Sequence, residues 1–132
     1  MIGQETLFLD KAQESLAGAQ SEFVNGRYNN CANRCYYACF QAAIHALGQA
    51  GVQPSSTPAR WGHDFVQAQF AGQLVNRRKL YPRELHEALV RNYGLRQVAD
   101  YQQDLVSETQ ARRALRRTRE FLATIQRGGE RV

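Results

Sequence analysis

The stretch from Tyr28 to about Gln49 restricts the fold more than any other part of the sequence. It reads YNNCANRCYYACFQAAIHALGQ and is rich in alanine, cysteine and aromatic residues. At helical spacing, a stripe of small residues lies beside a stripe of large apolar residues, so the helix is apolar over most of its circumference. This predicts a helix that runs through the middle of a bundle. The stripes are Cys35, Ala38, Ala42 and Ala46, and Tyr36, Phe40, Ile44 and Leu47.

Three further segments before residue 102 have helical periodicity. The first covers residues 5–24 and ends at Asn25-Gly26, since both residues accept the left-handed conformation of a helix C-cap. The loop VQPSSTPAR precedes another helix, which is predicted from Trp61 to Arg78. The next runs from Pro82, at its first position, to Tyr101, and we expect an irregularity near Gly94.

The last helix has a clear start signal. Ser107-Glu108-Thr109-Gln110 has the sequence of a capping box, and an amphipathic pattern follows it. No segment of useful length alternates as a strand does. The sequence therefore predicts an all-α fold, an up-and-down bundle of four to five antiparallel helices. In the last helix the predicted core residues are Ala111, Ala114, Leu115, Thr118, Phe121, Leu122 and Ile125.

Length and composition suit one domain. A chain of 132 residues with 43% hydrophobic content can form one core without disulfides or metals. We expect residues 1–132 to form a single helical domain, with its core at about 5–126 and a frayed tail at 127–132. No apolar run approaches the roughly 18 residues of a membrane span, and the N-terminal segment has acids where a signal peptide has basic and apolar regions. We therefore expect no membrane association and a cytoplasmic location.

The three cysteines, Cys31, Cys35 and Cys39, recur every four positions and would line one stripe of a helix. Successive turns of a regular helix give poor disulfide geometry. A zinc site would need a second pair of ligands, and the sequence shows none at the usual spacing. We predict small buried packing residues, with no metal and no cofactor.

The formal net charge of +5 is unevenly distributed. Seven of the 17 basic residues fall between Arg112 and Arg131, against the two acids Glu120 and Glu130. Such a patch can attract a phosphate backbone or an acidic partner, although a charge run of this kind is more often a solvated helix face. The basic patch consists of Arg112, Arg113, Arg116, Arg117 and Arg119.

Arginine, tyrosine, histidine and aspartate supply the remaining polar groups of interest. There is no phosphate-binding glycine loop, nucleophile elbow or HExxH pair, and each absence argues against an enzyme class. An arginine on the mostly apolar central helix, Arg34, would need a partner because an unpaired buried cation is costly. Arg96 and Asp100 form an i, i+4 pair, and such a pair is more often a structural ion pair than a site. Together these residues suggest a polar cluster inside the bundle.

Three stretches in order, ANRCYYACFQAAIHAL, WGHDFVQAQF and LRQVADY, resemble signatures of the HEPN domain superfamily, in particular its small stand-alone members. The similarity extends over about residues 10–125. It implies a four- or five-helix bundle, frequent homodimerisation and, in many members, RNA cleavage as the toxin of a toxin–antitoxin pair. The residues that match the pattern are Arg34, Tyr36, Tyr37, Ala38 and Phe40, then His63 with Phe65 or Phe70, then Arg96, Ala99, Asp100 and Tyr101.

In the superfamily, cleavage is attributed to an arginine followed, after four to six residues, by a histidine. Arg91-Asn92 begins like that motif, but residues 96–98 are Arg, Gln and Val. His86 and His45 come in the wrong order or on another helix. Arginine stays protonated and cannot act as a base, although it can hold phosphate. Cleavage would therefore need a tyrosine or His63 from another helix or subunit.

The leading hypothesis is a non-catalytic or atypical HEPN-like protein, in a toxin–antitoxin or stress system, that binds RNA, a nucleotide or a partner protein. One alternative is a metal-independent ribonuclease toxin, and another is a structural companion of a nucleotidyltransferase. The tyrosines of the cluster are also typical of core aromatics with a hydroxyl at the rim. The candidate binding cluster is Arg34, Tyr37, His63, Arg91, Asn92, Arg96, Asp100 and Tyr101.

Overall fold

The computed structural model describes residues 4–54 and 60–128, and within these ranges it contains helices and no strand. The all-α bundle predicted from the sequence is confirmed. No helix in the described ranges is long and apolar enough to cross a membrane. The helices are α1 (Gln4–Val24), α2 (Tyr28–Gln49), α3 (His63–Gln69, continued by a π-helical segment over Phe70–Arg77), α4 (Arg83–Tyr101) and α5 (Glu108–Gln126).

The turn between α1 and α2 follows directly from its sequence. Gly26 has a φ of 74°, which costs glycine little. The amide of Gly26 donates to Phe23 O at 3.0 Å, and the amide of Arg27 donates to Glu22 O at 2.8 Å. This pair of bonds is a Schellman motif. It ends α1 at the predicted place and turns the chain back so that α2 packs along α1.

The central position of α2 is confirmed, because α2 contacts all the other helices. Its small residues let the neighbouring helices approach closely. Cys31, Cys35 and Cys39 are fully buried and none forms a disulfide. Around them the core is filled by larger side chains from the other helices, namely Val66, Phe70, Leu74, Leu85, Leu89, Leu115, Phe121, Leu122 and Ile125.

Helix α3 is less regular than its sequence predicts. It begins at His63 rather than Trp61, and its second half, Phe70–Arg77, is π-helical. After it, Lys79 has a φ of 55°, and Leu74 O accepts hydrogen bonds from the amides of both Leu80 and Tyr81. The wide helix turn and the sharp reversal bring Phe70 and Tyr81 together, with ring centroids 5.6 Å apart. Part of the preceding loop, residues 55–59, lies outside the described residues.

The irregularity expected at Gly94 is absent, because α4 is α-helical without a break from Arg83 to Tyr101. Gly94 is exposed and a single exposed glycine costs a helix only about 1 kcal/mol, which packing of the adjacent turns offsets. Pro82 is the N-cap of α4 rather than its first residue.

The capping box at the start of α5 is confirmed. Ser107 Oγ accepts from the amide of Gln110 at 3.1 Å, and Gln110 Oε1 accepts from the amide of Ser107 at 2.9 Å. All seven residues of α5 that were predicted to face the core are buried. The helix ends at Gln126, and of the predicted tail, residues 129–132 lie outside the described residues.

Candidate functional site

The predicted binding cluster does not form one surface, because its two α4 arginines lie on different faces of that helix. Arg91 and Arg96 are five positions apart, which places them about 140° apart around a helix. Arg96 packs against tyrosines of α2, whereas Arg91 faces the side of the bundle where Arg117 of α5 lies. The residues predicted to form one cluster therefore lie on two separate faces.

The first face carries an arginine surrounded by aromatic rings. The guanidinium carbon of Arg96 lies 5.1 Å from the ring centroid of Tyr36, 5.4 Å from that of Tyr37 and 5.8 Å from that of Tyr101. These distances permit cation–π attraction. Arg96 Nε also lies 3.2 Å from Asp100 Oδ2, as the i, i+4 spacing predicts, although the N–H is not aligned for a hydrogen bond.

Arg34 joins this group through Asn33, for which the sequence carries no distinguishing signal. The guanidinium of Arg34 donates to Asn33 Oδ1 at 2.7 and 3.1 Å, and Asn33 Nδ2 donates to Asp100 Oδ2 at 3.0 Å. The Arg34 side chain lies across Gly18 of α1, where a Cβ would be 3.6 Å away, and stands 5.1 Å from the Tyr37 ring. We call Arg34, Tyr36, Tyr37, Arg96, Asp100 and Tyr101 the tyrosine–arginine cluster.

His63 reaches the edge of this cluster indirectly. Its ring stacks on Tyr93 with centroids 4.8 Å apart and planes 19° apart, and Tyr93 in turn contacts Tyr36. His63 Nε2 lies 3.1 Å from Asp64 Oδ1, so its polar contact is local to the start of α3. Because Tyr93 and Arg91 point to opposite sides of α4, His63 of α3 contacts α4 on the side away from Arg91.

Between these two faces of α4, Asn92 is buried in the core and is not exposed to a ligand. Its Nδ2 donates to Thr118 Oγ1 at 2.9 Å and lies 3.3 Å from Cys39 Sγ. Its Oδ1 accepts from Arg117 Nε at 3.1 Å. Because Asn92 is 0% exposed, these bonds replace all its contact with water. Asn92 therefore links α4 to α5 and fixes the orientation of Arg117.

Arg91 and Arg117 both line a groove between α4 and α5, with a volume of about 240 Å³. Arg117 is half-buried, and burial together with the nearby charge of Arg91 lowers the pKa of its guanidinium. In the described part of the chain neither arginine forms an ion pair. The other residues that line this α4–α5 groove are Glu84, Leu85, Glu87, Ala88, Glu120 and Phe121.

The outer face of α5 presents most of the predicted basic patch to solvent. Arg112 pairs with Glu108 and lies over the ring of Phe23. Three exposed arginines have no ion-pair partner among the described residues, and we call them the α5 arginine face. They are Arg113, Arg116 and Arg119.

The α5 arginine face and the tyrosine–arginine cluster are separated by the central helix. Cys35 and Cys39 of α2 face α5, where Thr118 contacts Cys39. Tyr37 is two positions from both cysteines, and so lies about 160–200° around α2 from them. The two surfaces therefore lie on different sides of α2.

The family model described as HEPN domain matches residues 6–128 of the chain. The search of curated proteins found no match to the chain.

Proposed function

Because this chain belongs to the HEPN domain family, we propose that it is a non-catalytic or atypical member that binds RNA or a nucleotide without cleaving it. The observation that carries this proposal is the α5 arginine face beside the Arg91–Arg117 pair. Both are positively charged, and in the described part of the chain none of these five arginines has an ion-pair partner.

Phosphate binding suits these arginines for a simple electrostatic reason. Each guanidinium has several N–H donors and stays charged at physiological pH, so it binds a phosphate group well. Contacts of this kind give affinity without sequence preference and release counterions from the nucleic acid. An arginine on an ordinary solvated helix face is exposed and makes no hydrogen bond to the core. Arg117 differs in both respects, because it is half-buried and donates to Asn92.

The position of Asn92 argues against RNA cleavage. General acid–base cleavage needs a group that titrates near neutrality within hydrogen-bond reach of the reacting oxygen. Asn92, which follows Arg91 in the incomplete motif, is inside the core, and the described residues that line the α4–α5 groove include no histidine. His63 is on the opposite face of α4. These positions favour binding over hydrolysis.

A second candidate function is protein binding through the tyrosine–arginine cluster. This surface combines two arginines with Asp100 and the neighbouring Asp64, so its formal charges balance, and Tyr101 is 71% exposed. Tyrosine and arginine are enriched where protein partners bind most strongly. We propose a second copy of this chain as the occupant, because the HEPN resemblance implies frequent homodimers. A nucleotidyltransferase-type partner in a toxin–antitoxin or stress system is the alternative.

Fluorescence anisotropy with a labelled single-stranded RNA tests the RNA-binding proposal. The variant Arg113→Gln/Arg116→Gln/Arg119→Gln should lower the affinity about tenfold or more at low salt. The matched control Arg27→Gln/Arg60→Gln/Arg77→Gln removes the same charge from exposed arginines elsewhere and should retain most of the affinity. Equal loss in the two variants, or no binding by the unmodified protein, would reject the proposed surface.

A further inference from the structure

A second concentration of positive charge lies at the turn between α3 and α4. Residues 77–83 read RRKLYPR, so four of these seven residues are basic and none is acidic. A groove of about 700 Å³ lies beside this turn, and its lining brings Lys79 and Arg83 together with Arg127 from the end of α5. Glu84 is the one carboxylate among the described residues that line it. We call this the turn groove, and its lining is positively charged.

The turn beside the groove is held in place by the rest of the fold. The Tyr81 side chain is buried in the core. Leu74 O accepts from the amides of Leu80 and Tyr81 at 2.8 and 3.3 Å, and Arg78 Nη1 donates to Ala50 O at the end of α2 at 2.8 Å. A surface that is already ordered loses little conformational entropy when it binds a partner. The turn groove is therefore a pre-organised surface.

Two arginines of the turn groove contribute little to the stability of the fold. Arg83 Nε lies 3.8 Å from Glu87 Oε2, and both side chains are more than half exposed, so this ion pair is weak. Arg83 is also the first residue of α4, where a positive charge opposes the helix dipole. Arg127 Nη2 donates to the neutral Thr124 Oγ1 at 3.2 Å, and Arg127 has no ion pair in the described part of the chain. Both guanidinium groups are available to an anionic partner.

Apolar side chains lie next to these charges. Leu80 is 40% exposed and lines the turn groove together with Val75 and Pro82. Tyr81 is the one aromatic residue in the described lining, and because its side chain is only 7% exposed it offers no platform on which a nucleobase could stack. The lining therefore suits a ligand that has both carboxylates and an apolar side chain, which is the chemistry of an acidic peptide segment.

We propose that the turn groove binds an acidic segment of a partner protein, whose carboxylates contact Arg83 and Arg127 while one apolar side chain packs on Leu80. Guanidinium groups bind carboxylates through paired, charge-assisted hydrogen bonds. This binding is independent of the proposed RNA contact, because the turn groove shares no residue with the α5 arginine face. Glu120 lies between Arg119 and Arg127 along α5, so an RNA strand that followed α5 to the turn groove would meet a carboxylate.

Fluorescence anisotropy with a labelled short glutamate peptide that contains leucine tests this site. The variant Arg83→Gln/Arg127→Gln should weaken binding of the peptide about tenfold or more at low salt, since it removes two charged donors. The control Arg27→Gln/Arg60→Gln removes the same charge from exposed arginines outside the groove and should retain most of the affinity. Arg83 and Arg127 are exposed, so their variant should fold and keep a melting temperature close to that of the unmodified protein.

The same peptide with serine in place of leucine tests the apolar contact. Leu80→Ser should weaken binding of the leucine peptide about threefold to fivefold, because it removes exposed apolar area that the leucine covers. Binding of the serine peptide should not change. An equal loss for the two peptides would overturn the contact between Leu80 and an apolar side chain of the partner.

RNA binding by the same variants separates this site from the proposed function. Arg83→Gln/Arg127→Gln should lose the peptide and keep its affinity for single-stranded RNA, whether or not the α5 arginine face proves to be the RNA-binding surface. No binding of the leucine peptide at low salt, or an equal loss in Arg27→Gln/Arg60→Gln, would overturn the site. A loss of RNA binding in Arg83→Gln/Arg127→Gln, without any peptide binding, would assign the turn groove to nucleic acid and overturn the acidic partner.

Discussion

Thr118→Val should destabilise the protein much more than Thr124→Val, although both threonines lie on α5 and donate to the carbonyl four residues earlier. These bonds are 2.7 Å from Thr118 to Ala114 O and 2.8 Å from Thr124 to Glu120 O. The difference between the two sites is that Thr118 is 0% exposed and accepts a hydrogen bond from the buried Asn92, whereas Thr124 accepts from the exposed Arg127.

The magnitude follows from the group that loses its partner. Valine has nearly the shape of threonine, so Thr118→Val leaves little cavity, but Asn92 Nδ2 keeps only the weak acceptor Cys39 Sγ at 3.3 Å among the described residues. An under-satisfied buried donor costs about 1–3 kcal/mol. At roughly 3–5 °C per kcal/mol for a chain of this size, the melting temperature should fall by about 3–15 °C. Thr124→Val should change the free energy of unfolding by about 0.5 kcal/mol or less.

A double-mutant cycle with Asn92→Ala tests the shared network. Asn92→Ala should cost about 2–4 kcal/mol, because it removes the bond to Thr118, leaves Arg117 Nε without its acceptor and opens a small cavity. In that background Thr118→Val has little left to remove, so the interaction energy should be about 1–2 kcal/mol. Urea unfolding followed by circular dichroism gives all the values. Costs that add to within about 0.3 kcal/mol, or equal costs for the two valine variants, would refute this reasoning.

Three further outcomes follow from the structure. Ser107→Ala removes the capping box of α5 and should cost about 1 kcal/mol in urea unfolding, whereas Ser21→Ala, inside α1, should cost less. Burial raises the pKa of Cys39 from 9.0 to about 12, so the unfolded chain loses this proton first as the pH rises. The free energy of unfolding should therefore fall between about pH 9 and 12, and Cys39→Ala should flatten that part of the pH profile. Tyr101→Ser removes the most exposed ring of the tyrosine–arginine cluster and should shift a dimer toward monomer in light scattering, and an unchanged mass would reject that interface.

Helix ends and core faces could be predicted where the signal is local. The Schellman turn at Gly26 and the capping box at Ser107 need only a few adjacent residues, and both form as the sequence predicts. The π-helical second half of α3 has no such signal. It depends on contacts between Phe70 and Tyr81, and on Leu74 O accepting two amides from beyond the helix.

The candidate site was harder to predict, because it depends on which helix faces which. Arg91 and Arg96 are close in sequence, yet helix geometry alone places them on different faces. Asn92 continues the buried stripe of Leu85 and Leu89 at i, i+4 and i+7, which is a signal that it faces the core. Asn33 could not be selected from the sequence, since its bond to Asp100 exists only because α2 packs on α4.

The measurement that tests the central claim most directly is the salt dependence of RNA binding, with the RNA examined on a denaturing gel afterwards. If the α5 arginine face contacts about three phosphates, the logarithm of the association constant should fall with the logarithm of salt concentration with a slope of about −2 for a single strand. The RNA should remain intact. Binding that is absent at low salt, a slope near zero, or cleavage that disappears with Arg91→Gln would contradict the account.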